Sequence, residues 1–139
     1  MEGKAGPAPE VSVRVVRLGS SRQPNEGLRI GTVRRPPRGI RKAEFASRNY
    51  FDVWFPDLAP TAATIARLKS GGDRAWTAFV RRYRSEMARP GPSRLLDLLA
   101  ALSRSADFSV GCYCEDETRC HRSVLAQLLR ERRAHFARG

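Results

Sequence analysis

Residues 108–114, FSVGCYC, constrain the fold of this chain more than any other stretch. The run is short, apolar and bounded by polar turns, as a central strand of a parallel sheet is when both its faces are covered. Residues 115–120 then turn the chain. Cys120-His121-Arg122 opens a helix whose inner face is Val124, Leu125, Leu128 and Leu129. These four positions lie on one side of a 3.6-residue repeat.

The rest of the chain alternates in the same way. The β-branched VSVRVVRL (11–18) reads as a strand. GSSRQPNEG (19–27) is full of turn formers, and LRIGTVRR (28–35) reads as a second strand or an extended edge. PPRG (36–39) stops regular structure, because proline fixes its own φ and restricts the residue before it. YFDVWFP (50–56) is a third strand candidate. Pro60-Thr61 opens a helix to about Lys69, and Asp73 is the expected N-cap of the next. In that helix Trp76, Phe79, Val80, Tyr83 and Met87 make one apolar stripe. Ser93 is expected to cap a third helix with a wide face of Leu95, Leu96, Leu98, Leu99 and Leu102. Strands separated by helices predict a small single α/β domain over 11–136, with a mainly parallel central sheet flanked by helices. Residues 1–10 read as a disordered tail.

No stretch holds about 18 uninterrupted apolar residues, so no membrane span is expected. The N-terminus has no apolar signal core, and three cysteines make an odd number for a disulfide framework. A cytoplasmic setting is therefore expected, in which such a cluster is metal-binding or reactive rather than cross-linked. The net charge is +12, and only three of the 26 basic residues are lysine. Arginine pairs bidentately with phosphate, which makes nucleic acid or a nucleotide the expected partner. GC-rich coding would produce the same bias with no partner at all.

Three chemistries compete for the cysteines. Residues two apart on a strand share a face, which puts Cys112 and Cys114 together at the carboxyl end where α/β sheets bind ligands. Cys114 as the nucleophile of an anion-binding loop conflicts with Glu115, Asp116 and Glu117, whose charges repel an anion and raise a thiol pKa. Cys112, Cys114, Cys120 and His121 make a three-thiolate, one-imidazole zinc set, although C-x-C is tight and adjacent Cys-His ligands are unusual. In the third reading Cys120 is the reactive thiol, activated by the helix start, His121 and Arg122. Buried cysteine as a small hydrophobe is the plain alternative.

The strand-end Cys112 followed by Cys120-His121-Arg122 resembles the family called domain of unknown function 488. RIGTVRRPPRGI, FDVWFPDLAPT and AWTAFVRRYRSEM are also similar to segments of that family, and the likeness spans about residues 11–133. It implies a small α/β domain. Many members carry an acid where Cys114 stands and some branches lack the Cys-His pair, which weighs against an obligatory four-ligand metal. Arg34, Arg35, Arg38, Gly39, Asp52, Trp54 and Pro60 match motif positions, so the resemblance implies a phosphate-facing RRPPRG loop beside the cluster. The resulting expectation is an enzyme with Cys120 as nucleophile or redox thiol and His121 as proton carrier. Arg122, Arg34, Arg35, Arg38 and Asp52 would then contact a phosphate-bearing or nucleic-acid-related substrate. No cofactor is expected in this reading. A basic nucleic-acid-binding module, with zinc on the four-ligand set, is the alternative.

Overall fold

A computed structural model describes residues 11–114 and 119–137. Four strands, β1 (Val13–Arg17), β2 (Leu28–Gly31), β3 (Val53–Trp54) and β4 (Phe108–Cys112), form one sheet in the order β1-β4-β2-β3. Every pairing is parallel. The helices are α1 (Ala62–Ala66), α2 (Gly72–Met87), α3 (Pro90–Leu102) and α4 (His121–Glu131). This is the α/β architecture with a parallel sheet that the sequence leads one to expect.

β4 is central and all five of its residues are buried, in keeping with its unbroken apolar run. Side chains alternate along a strand, so β4 serves two layers. Phe108 and Val110, with Val13 and Ile30 of the neighbouring strands, meet Phe79, Tyr83 and Met87 of α2, Leu96 and Leu99 of α3, and Val124, Leu125, Leu128 and Leu129 of α4. The amphipathic stripes therefore converge on one face. Leu98 is the exception at 58 % exposed, the outer member of a face wider than the sheet can cover.

Loops, not helices, cover the other face. A Cβ on Gly31 would collide with the Phe51 ring, and one on Gly111 would lie 2.6 Å from the Val16 carbonyl oxygen. Glycine here lets Phe51 and Leu18 sit directly on the sheet. Beside them Arg29 is fully buried. Its Nε and Nη2 donate to the two Glu26 carboxylate oxygens at 2.6 and 2.9 Å, and its Nη1 donates to the Ser20 and Asn49 carbonyls. Ser109 Oγ on β4 also donates to Glu26. Burial alone would raise the Glu26 pKa, but the donors from Arg29, the Gln23 backbone and Ser109 outweigh it and hold the carboxyl at about 2.

Several boundaries differ from expectation. The strand expected over 50–56 narrows to Val53–Trp54, because Phe51 turns onto Gly31 and Tyr50 packs edge-on against Tyr113. The helix from residue 60 has Thr61 as its N-cap and gives way to a 3-10 turn after Ala66. α2 begins at Gly72 with Gly71 as its N-cap, leaving Asp73 in the first turn. α3 starts at Pro90, so Ser93 lies inside it, where its Oγ accepts from Arg132. The expected tail (1–10) lies outside the described residues.

Candidate functional site

The site forms where β4 ends and α4 begins, beside the carboxyl end of β2. β4 terminates at Cys112, and Cys120 is the N-cap position of α4 in extended conformation. Both cysteines are buried, and their sulfur atoms lie at disulfide distance. His121 opens α4 above them. The ligating atoms of Cys112, Cys120 and His121 all fall within 4.8 Å of one another.

The imidazole is oriented by the end of β2. Its Nε2 lies 2.7 Å from the Thr32 carbonyl oxygen. A carbonyl only accepts, so the proton sits on Nε2. Nδ1 is therefore the bare nitrogen, and it faces Cys120 Sγ at 3.9 Å. Burial lowers the His121 pKa first and foremost, and the Arg122 charge adds to this. The Thr32 hydrogen bond opposes both, and the pKa settles at about 4. The ring is neutral near pH 7 and its edge packs on the Tyr83 ring, with centroids 5.7 Å apart.

A cavity of about 370 Å³ opens over this cluster. Cys112, Cys120 and His121 line it together with Phe79, Ile65 and Leu68, while Arg34, Arg35, Lys69, Tyr113 and Cys114 bring polar groups to it. An open groove continues from it along Arg34, Arg35, Pro36, Pro37 and Arg38 to Tyr50, Trp54 and Tyr113. Trp54 is 41 % exposed and its Nε1 donates to the Val33 carbonyl. Tyr113 donates to the Arg35 carbonyl, so the arginine loop is pinned to the end of β4.

The structure thus gathers Cys112, Cys114, Cys120, His121, Arg34 and Arg35 around one cavity, with Arg38 in the adjoining groove. Cys114 is exposed, past the end of β4, and is not one of the three clustered ligands. The Arg34 guanidinium is engaged, donating to the Pro60 and Ala59 carbonyls, so it holds the lead-in to α1. Asp52 stands apart: it is paired with Arg22 at 2.9 Å and accepts from the Arg29 backbone N–H. Arg122 also stands apart, lining a different cavity beside β1. Successive helix positions diverge by about 100°, so His121 and Arg122 cannot both face the cysteines. The acidic turn at Glu115, Asp116 and Glu117 lies outside the described residues. Thr32, Lys69, Tyr113 and Phe79 were not singled out for this site from the sequence, since only the pairing of β2 with β4 brings the end of β2 to His121.

A parallel α/β sheet with a Cys-Cys-His cluster at the carboxyl end of the central strand defines the class. Within that class, the model of the active DUF488-N3 subclade matches residues 13–133, and the chain belongs to the domain of unknown function 488 family. No curated protein and no solved structure matches it. Among the described residues, no helix is long and apolar enough to cross a membrane.

Proposed function

We propose that this chain is a thiol-dependent enzyme acting on a nucleotide or another nucleic-acid-related phosphate compound. The observation that carries the reading is the orientation of His121. With Nε2–H held by Thr32, the bare Nδ1 faces Cys120 in a cavity. In the reduced protein, with the Cys112–Cys120 pair opened by an external thiol, Nδ1 takes the Cys120 thiol proton as Sγ bonds the electrophilic atom of the substrate. It gives the proton to the leaving group as the bond to that group breaks, and water then hydrolyses the sulfur-bound intermediate to restore the thiol. Arg35 and Arg38 draw the phosphate, and Trp54, Tyr50 and Tyr113 offer aromatic surface to a base. The description of the matching family model as an active subclade supports an enzyme.

The test is alkylation of the reduced protein by iodoacetamide, with each cysteine followed by peptide mass. Cys120 should react at least about tenfold faster than Cys112 and Cys114, and His121→Gln should remove that advantage. Three thiols that all behave like free cysteine, with pKa near about 8.5, would sink the nucleophile.

One observation favours a second reading. Two thiols and a bare imidazole nitrogen within 4.8 Å, the far ring nitrogen bonded to a backbone carbonyl, also form a three-ligand zinc site. Its fourth position would face the cavity. Cys114 drops out of the expected four-ligand set. Elemental analysis giving one zinc per chain, with Cys112 and Cys120 protected from alkylation, selects this reading.

A further inference from the structure

Arg122 is only 4 % exposed. Its Nε is buried without a partner, and its guanidinium makes no hydrogen bond or ion pair among the described residues. The Nε of Arg14 is buried and unpartnered too. Both residues line one cavity of about 410 Å³ bounded by β1, α4 and residues 136–137. Arg130 lines it as well, with its guanidinium carbon 4.3 Å from the centre of the Phe136 ring. Among the described residues, no aspartate or glutamate lines this cavity. Burying a guanidinium without a counter-charge is strongly destabilising, and each buried unsatisfied polar group needs a physical reason, of which a bound ion is one.

We propose that this cavity is a binding site for a small organic phosphate, separate from the cysteine pocket. Three guanidinium groups suit a dianion with three acceptor oxygens better than a single carboxylate, since each planar fork donates two parallel hydrogen bonds. Val13, Val15 and Phe136 give the same cavity an apolar wall, which suits a ligand carrying a non-polar body behind its phosphate. The volume is in the range of small-molecule sites, about 300–1,000 Å³. Arg122 has this cavity as its role, while its neighbour His121 faces the thiols.

The experiment uses the full chain in titrations at constant ionic strength, with phenyl phosphate, inorganic phosphate and acetate as probes. Thermal midpoint and calorimetric heat are the readouts. In the full chain carrying Arg35→Met and Arg38→Met, which removes the phosphate-drawing groups beside the thiols, phenyl phosphate should bind saturably at one site and more tightly than inorganic phosphate, with acetate weakest. Arg122→Met and Arg130→Met should each weaken phenyl phosphate by at least about tenfold. Arg122→Met alone should also leave the midpoint no lower than the parent, because it removes an uncompensated buried charge. Arg130 is exposed, so Arg130→Met decides the matter should Arg122→Met not fold. Cys120→Ser should leave this binding unchanged, which separates the site from the thiol chemistry. Equal responses to all three probes would mean an adventitious ion only and overturn the site. So would binding that survives both arginine substitutions.

Discussion

Replacing Glu26 with glutamine tests the physical account of the loop-covered face. The side chain keeps its shape and loses its charge, leaving Arg29 fully buried with only the Ser20 and Asn49 carbonyls and a neutral amide. Two routes give the cost. The Glu26 carboxyl titrates at about 2 in the folded chain against an ordinary 4.5, and at about 1.4 kcal/mol per pH unit this gap is worth about 3 kcal/mol. Independently, removing one member of a buried ion pair costs about 3–5 kcal/mol. Urea unfolding at pH 7 should therefore move the midpoint down by about 1.5 M, taking a slope near 2 kcal/mol/M. The folded carboxyl is more acidic than the unfolded one, so its contribution is fully present above about pH 4.5 and is lost as pH falls from there towards about 2. Parent and Glu26→Gln curves should converge across that window. A shift under about 0.5 M at pH 7, or a gap that persists undiminished at pH 2, would refute the reasoning. Adding Arg29→Met to Glu26→Gln should recover part of the loss, because the stranded charge is then gone.

The remaining expectations are simpler. Tyr83→Phe removes a buried hydroxyl that donates to the Leu58 carbonyl at 2.6 Å, and should cost about 1–2 kcal/mol in the same unfolding assay. Gly111→Ala forces a methyl to within 2.6 Å of the Val16 carbonyl oxygen and should cost about 2 kcal/mol or more. Gly39→Ala, at φ +73° with open space around it, should cost about 1 kcal/mol from backbone conformation alone. If the two alanines cost the same, close packing of the Leu18 loop on the sheet is wrong. Arg35→Met with Arg38→Met should flatten the salt dependence of single-stranded oligonucleotide binding by about 1–2 charges, read as the slope of log affinity against log salt.

What could be read from residues alone follows the range of the forces involved. β4 and α4 are legible because one continuous apolar run and one apolar stripe report burial locally. The α2 stripe is legible for the same reason: Phe79, Tyr83 and Met87 are buried where their spacing puts them. The third strand misleads because its aromatics serve different partners, Phe51 meeting Gly31 and Tyr50 meeting Tyr113 across the fold. In the turn-rich stretch 19–27, Glu26 hides a buried anion whose partners include Ser109, 83 residues away. Within the candidate site, the Cys-His pairing of neighbours on α4 is visible in sequence, whereas Thr32 as the group that sets the imidazole tautomer is not. Arg122 is the instructive miss. Its adjacency to Cys120-His121 suggests one site, while the helical turn carries its side chain to another wall.

The strand order β1-β4-β2-β3 has a consequence for how the molecule comes into being. β1 and β2 each pair with β4 and not with each other. Val13 must wait for Phe108, so no part of the sheet containing β1 exists until almost the whole domain has left the ribosome. Contacts this distant in sequence slow folding, and chains emerge N-terminus first. β4 is the wedge that completes the sheet, and it carries Cys112 at its tip. The contact of the His121 ring with the Thr32 carbonyl at the end of β2 therefore waits for β4 to pair with β2, so the imidazole gains its orientation late in folding.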